Sequence, residues 1–554
     1  MRRGGVVAAA TVIVVVAAGS AAFVAFRTGD HGRRGAAADA LVTPISAPVE
    51  RAPLQAPADL AWGPSVVDYA NALATASDLP LDVAAGHVIV ATVSSPDPAS
   101  AAALVGAQHL AGVILMGGAI TDAAQVAALA AAVQAAAVED GRDWPAVVST
   151  DQEGGPVSRL SRVIPGLPAF MAAGSIPDKT AVANAYEAAA RDMRALGVNV
   201  DWAPDADVTV GLADPTIRVR SAGSDPVRVA ATVDAAVRGI VASGVIPAIK
   251  HFPGHGSVTT DSHDAVPVQT ATVAQLESAD MVPFGQAIAH GAPVVMMGHI
   301  AVAEWGGVPA TVSPRAYAYL RQSLGFTGVV VTDALDMRAI AASFAPGDSE
   351  VAALAAGADL LLSPRDPAAA RAAIVAAVQN GTVSRDRLDE AVARVASLMT
   401  LQERRSQVAD TKTADPTTAD SNASATYARA FAAWATTVSA ASCTGPYVGS
   451  SVTITGGWPA ERQALADALE SHGITTGGGT TIRLLGSATD SGSADVVVAM
   501  DGPWGLPQST ASVYVGLYGR SNEALAGLAD VLAGAVTPTG QWAVAGMPPA
   551  CGAA

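Results

Sequence analysis

Residues Val245–Phe252 read VIPAIKHF and run directly into Pro253–His263, PGHGSVTTDSH. The first part is short, apolar and partly β-branched, which predicts a strand buried on both faces of a parallel sheet. The second part carries Pro253, Gly254 and Gly256, cannot continue a ladder, and reads as a loop. Lys250 and His251 stand at the junction, and three of the chain's 9 histidines fall within the stretch. An apolar strand that delivers ionisable groups at its C-terminal tip is what a barrel with its chemistry at the strand ends requires.

The same pattern recurs along the chain. HVIVATV (from His87), GVILMG (from Gly112), PAVVSTD (from Pro145), VNVDWAP (from Val198), PVVMMGHI (from Pro293), GVVVTDAL (from Gly328) and ADLLLSP (from Ala358) join VIPAIKHF as eight strand candidates. Helical patterns separate them, for example DAAQVAALAAAVQAAAVEDG (from Asp122), PVRVAATVDAAVRGIVASG (from Pro226) and PAAARAAIVAAVQNG (from Pro367), several ending in glycine. This alternation predicts an α/β fold, a (β/α)8 TIM-type barrel. A doubly wound open sheet is the alternative, but no GxGxxG follows the first strand. Five successive strands bring polar groups to the same end: Asp151-Gln152-Glu153, Asp201 with Asp207, Lys250-His251, His299, and Thr332-Asp333.

A chain of 554 residues with 51% hydrophobic and 15% charged residues is folded and has room for more than one domain. Its net charge is −17 and its body has no Lys/Arg cluster, which speaks against nucleic acid as a partner. The acidity suits a small neutral or cationic substrate. Arg2 and Arg3 precede the apolar run Gly4–Phe26, so residues 1–28 read as a signal-anchor helix through the membrane or as a cleaved signal peptide. Either reading exports the body, to be held at the cell surface or secreted. Residues 29–60 form a polar, proline-bearing spacer, 61–405 the barrel, 406–426 a polar linker, and 427–554 a small C-terminal α/β domain. Cys443 and Cys551 both fall in that last unit, and in an exported protein they form a candidate disulfide. Two buried free thiols are the alternative.

The loop itself admits two chemical readings. The Asp261-x-His263 spacing lets a carboxylate hold one imidazole nitrogen, fixing its tautomer and favouring the protonated ring, as a general acid/base needs. A metal site would need convergent ligands, and His-x3-His-x7-His fits no common zinc spacing. The acid/base reading needs no metal and no cofactor.

KHFPGHG…DSH…P (Lys250–Pro267), DQEGGPVSRL (Asp151–Leu160), IRVRSAGSDP (Ile217–Pro226), MMGHI (Met296–Ile300) and VVTDALDM (Val330–Met337) together resemble the β-N-acetylhexosaminidase branch of glycoside hydrolase family 3. The tail, Leu517–Val544, resembles the family's α/β sandwich domain more weakly. The resemblance implies a retaining exo-β-N-acetylglucosaminidase acting on β-GlcNAc-terminated glycans such as cell-wall fragments. It implies Asp333 as nucleophile, His263 as acid/base oriented by Asp261, and Asp151, Arg159, Arg220, Lys250 and His251 as sugar-binding residues. Asp336 is a rival nucleophile. Pro156 and Ala222 depart from residues frequent in the family, Arg and Phe. A β-glucosidase, a phosphorolytic enzyme, a glycan-binding protein without catalysis and a mechanism using the substrate's own acetamido group are the competing readings.

Overall fold

The computed structural model describes residues 59–410 and 421–551. The apolar segment at 1–28 and nearly all of the spacer at 29–60 lie outside the described residues. No described helix is long and apolar enough to cross a membrane.

The eight expected strands form one parallel sheet. They are β1 (Ile89–Val93), β2 (Gly112–Leu115), β3 (Val147–Thr150), β4 (Val200–Asp201), β5 (Ile246–Phe252), β6 (Val294–Met297), β7 (Val329–Thr332) and β8 (Leu361–Leu362). Each pairs with its neighbour in chain order and β8 pairs with β1. A bridge between Val331 and Leu360 joins β7 to β8 and all but closes the barrel. The strands are almost wholly buried because side chains pack inward on one face and under the helices on the other. Thr92 of β1 is half-buried, and it lines the mouth cavity described below.

Three barrel helices start with the same device. Asp97, Asp225 and Asp366 each stand before a proline in the first turn and accept hydrogen bonds from backbone N–H groups there. The carboxylate satisfies donors that the helix leaves open, and proline gives up an N–H that would have no partner. An Asp-Pro pair therefore sets where the helix begins and how the preceding loop is aimed.

The C-terminal domain is a second sheet of β9 (Thr437–Ala440), β10 (Ser451–Gly456), β11 (Thr475–Thr476), β12 (Thr480–Leu485), β13 (Val496–Ala499) and β14 (Val513–Gly516). Its order is β9-β14-β13-β12-β10-β11, and only β9 runs antiparallel to its neighbour. Leu465, Leu469, Leu525 and Leu528 pack with the sheet's apolar residues to form its core. Cys443 and Cys551 are joined as a disulfide. The expected linker at 406–426 is helical at both ends: one helix runs Arg385–Asp410 and the next Ser421–Ala435. Alanines among its polar residues let both helices extend into it.

Backbone contacts fix this domain to the barrel. Ala169 N–H donates to Tyr518 O at 2.8 Å and Gln541 N–H to Ser175 O at 2.8 Å. Arg228 Nη1 donates to Trp542 O at 3.1 Å.

Candidate active site

The barrel mouth encloses a cavity of about 340 Å3 lined by Asp151, Glu153, Arg159, Arg220, Lys250, His251, His263, Asp333 and Asp336, among others. That volume lies within the range of small-molecule sites. Asp261 meets the cavity through the histidine it holds. Apolar side chains, including Ile114, Met116, Met296 and Leu362, line the rest of the cavity.

Consecutive strand residues normally face opposite sides, yet Lys250 and His251 both face this cavity. The pairing of β5 with β6 shifts between Ile249 and Phe252, which pair with Val295 and Met297. One extra residue on β5 makes a bulge, and a bulge re-aims side chains at a barrel rim. The strand tip thereby presents an ammonium and an imidazole side by side.

A buried charge network holds them. After β3 the chain forms a tight hairpin, Gln152–Gly154 against Val157–Ser158. Its Glu153 accepts two hydrogen bonds from Arg220, both at 2.8 Å, and Lys250 Nζ lies 2.6 Å from Glu153 Oε1. Lys250 Nζ also donates to Asp151 Oδ1 at 3.0 Å, and Arg159 Nε lies 3.8 Å from Asp151 Oδ2. Burial pushes the Glu153 carboxyl up, but Arg220 and Lys250 outweigh it and hold it well below the usual carboxylate range. Burial works against the charge of both Lys250 and Arg220; Glu153, with Asp151 for Lys250 and with Asp205 and Asp207 for Arg220, outweighs it and leaves each raised.

Asp333 follows β7 and its N–H donates to Met297 O at 2.9 Å. Its Oδ1 accepts the Ala334 N–H at 2.8 Å. Burial raises its carboxyl, but the His299 and His251 rings, the Ala334 N–H and Lys250 bring it below the ordinary value, so it is held ionised. Asp336, three residues on, moves the other way, chiefly through burial. His299 Nε2 lies 2.8 Å from Ala334 O; a carbonyl only accepts, so that nitrogen carries the proton. Its Nδ1 shares a hydrogen bond of 2.6 Å with Thr311 Oγ1.

The three histidines of the loop have separate partners. His251 Nδ1 bonds Asp207 Oδ2 at 2.7 Å, His255 Nε2 bonds Ser262 Oγ at 2.9 Å, and His263 Nδ1 bonds Asp261 Oδ1 at 2.7 Å. They do not converge on one point as zinc ligands would. Gly254 sits at φ 126°, open to glycine alone at little cost. Gly256 is needed for space: a Cβ there would stand 2.4 Å from Val208 O. The two glycines thus seat the start of the loop closely against the barrel.

Sequence reading gave no role to Glu153, His255 or Ser262. Glu153 stands two residues after Asp151 on an extended segment, so period two could have put both on one face. Asp205, Asp207 and His251 present potential ligand atoms within 4.8 Å of one another. Arg220 Nη2 lies 3.8 Å from Asp205 Oδ2, a poor neighbour for a bound cation, and burial together with Asp207 raises the Asp205 carboxyl well above its ordinary value. A wider cleft of about 680 Å3 opens between residues 161–169 and the 518–523 segment of the C-terminal domain. There Arg520 is paired with Asp501 at 3.0 and 2.9 Å, and the set of carboxylates and imidazoles is absent, so the smaller cavity is the candidate site.

Comparison with known proteins is consistent with this geometry. Residues 83–398 match the family model described as the glycosyl hydrolase family 3 N terminal domain. A protein named β-hexosaminidase A from Pseudoalteromonas piscicida is 32% identical over 330 residues, 55% of this chain and 55% of that protein. The chain therefore spans about half of that relative's length. The β-hexosaminidase LpqI of Mycobacterium tuberculosis is 34% identical over 312 residues, 54% of this chain and 79% of that protein. A solved family 3 β-N-acetylglucosaminidase from a Paenibacillus species superposes with a TM-score of 0.71 at 27% identity, over 85% of this chain and 100% of that one.

Proposed function

The chain belongs to glycosyl hydrolase family 3, and from that premise we propose that it is a retaining exo-β-N-acetylglucosaminidase working through a covalent glycosyl–aspartate. The observation that carries the proposal is one cavity lined by an ionised Asp333 and by His263 bonded to Asp261. Asp333 attacks the anomeric carbon while protonated His263 gives its proton to the departing glycosidic oxygen; the bond to the aglycone breaks and a glycosyl ester forms. Neutral His263 then takes a proton from water, the water oxygen attacks the same carbon, and Asp333 leaves as carboxylate. Asp261 holds the imidazole in one tautomer and orientation.

Asp151, Arg159, Arg220, Lys250 and His251 hold the sugar's polar groups in this reading, Arg220 and Lys250 being positioned beforehand by Glu153. Relatives named β-hexosaminidase and a solved β-N-acetylglucosaminidase support N-acetylhexosamine as the sugar. Cell-wall fragments are the proposed source. The apolar run at Gly4–Phe26 and the Cys443–Cys551 disulfide support an exported, oxidising location, at the surface or secreted.

The test compares 4-nitrophenyl β-GlcNAc with 4-nitrophenyl β-glucoside, with and without inorganic phosphate. Faster release from the GlcNAc glycoside, giving free N-acetylglucosamine, supports the reading. A sugar phosphate as product would make the enzyme phosphorolytic, and no turnover of either glycoside would leave a glycan-binding protein.

A further inference from the structure

Within the loop that bears His263, the residue between the two members of the dyad points the other way. Asp261 and His263 are exposed in part, whereas Ser262 is buried at 2% exposure. Its hydroxyl shares a hydrogen bond of 2.9 Å with Nε2 of His255, which is buried at 1%. His255 is fixed in turn, since its backbone N–H donates to Asp207 Oδ1 at 2.6 Å. Asp207 also accepts from His251 through its backbone N–H and its ring, at 3.3 and 2.7 Å. Gly256 adds a backbone hold, its carbonyl accepting from Val210 N–H at 3.0 Å. A continuous path therefore runs from the bulged tip of β5 to the peptide unit next to His263.

By contrast, the dyad's own links are mostly local, the exception being the Thr216 side chain, which helps to lower the Asp261 carboxyl. His263 bonds Asp261 through its ring at 2.7 Å and through its backbone N–H at 2.9 Å. Asp264 N–H and Ala265 N–H both return to Asp261 O, at 3.0 and 3.1 Å. These local bonds shape the turn but do not by themselves fix where it sits over the cavity. The Asp264–Arg338 pair, at 3.9 Å, joins two strongly exposed side chains and holds little. A buried polar pair has no alternative partner in water, so it selects one placement of the segment.

We propose that the His255–Ser262 hydrogen bond is a latch that places His263 over the leaving-group oxygen, making His255 and Ser262 positioning residues for proton transfer. The proposal rests on the glycosidase reading above. Proton transfer demands hydrogen-bond reach, so a displaced imidazole costs rate only where the leaving group needs its proton. A good leaving group departs without one. Loss of the latch must therefore appear as a dependence on leaving group and not as a general loss of activity.

The experiment measures kcat/KM for phenyl β-GlcNAc and 2,4-dinitrophenyl β-GlcNAc with the full chain and its Ser262→Ala and Ser262→Thr variants, alongside thermal melts. Ser262→Ala is expected to lose roughly tenfold or more on the phenyl glycoside and less than about threefold on the dinitrophenyl one. Ser262→Thr keeps a hydroxyl and is expected to restore most of the phenyl activity. If Ser262→Ala does not fold, Ser262→Cys, close in size but a weak hydrogen-bonding group, carries the comparison and must show the same selective loss. Equal loss on both glycosides, or no loss on either, overturns the latch while leaving the enzyme's assignment intact. A wild-type chain that cleaves neither glycoside overturns the assignment, and the latch with it.

Discussion

Two walls of the same cavity are built differently. On one, Lys250 and Glu153 have side chains 3% and 1% exposed and are bound to each other, and Glu153 also holds Arg220. On the other, the His263 side chain is 62% exposed and its ring is held by Asp261 on the same turn. The first wall is fixed before any sugar arrives, which suits recognition of hydroxyl and amide groups that do not change during reaction. The second has to give a proton, take one back and let the aglycone pass, and an exposed imidazole is suited to all three. The contrast suits the proposed division of labour, binding at the strand tips and proton transfer on the loop.

The largest expected effect is on the strand-tip carboxylate that both walls serve. Asp333→Asn should lower kcat on 4-nitrophenyl β-GlcNAc by on the order of 10⁴-fold, as loss of a nucleophile does. Asp336→Asn should cost far less, because burial disfavours its charged form where Asp333 is held ionised. Next comes the loop wall. His263→Ala should reduce kcat/KM for phenyl β-GlcNAc by roughly 10²-fold or more while sparing the dinitrophenyl glycoside. A loss that does not depend on leaving group would erase the difference between the walls.

The recognition wall should fail in another way. Glu153→Gln leaves Lys250 and Arg220 buried without their shared anion, and removing one partner from such a network costs about 3–5 kcal/mol of stability. Chemical denaturation would read that loss, and a raised KM with the same ranking of leaving groups would accompany it.

The smallest effect concerns Asp201, behind the hairpin, whose carboxyl burial pushes up to about 7 although it accepts the Gln152 N–H at 2.9 Å. Its folded value lies above its unfolded one, so the protonated form is favoured on folding. That contribution is full below the unfolded value near 3.8 and is lost as pH rises through about 7. Asp201→Asn should flatten the fall in Tm across this window by a few degrees, and an unchanged profile would contradict the assignment.

Most of the barrel was legible because every strand is a short apolar run followed by turn chemistry, and because parallel strands need no alternation. The tips were legible for the same reason: Lys250-His251 and Thr332-Asp333 interrupt apolar runs where ionisable groups have no packing purpose. What holds those tips was not legible. Glu153 meets Arg220 across 67 positions and Ser262 meets His255 around a loop, contacts that no local period announces. The β5 bulge was equally hidden, since VIPAIKHF reads the same with or without an extra residue in the ladder. Helix at both ends of the 406–426 segment escaped notice because polar composition outweighed its alanines.

The most direct test of the account is mass analysis of the chain after reaction with a fluorinated β-GlcNAc substrate whose glycosyl intermediate hydrolyses slowly. The account predicts one added glycosyl group, mapped to the peptide that carries Asp333 and located on that side chain. A group mapped to Asp336, or turnover through the substrate's acetamido group with no adduct at all, would contradict it.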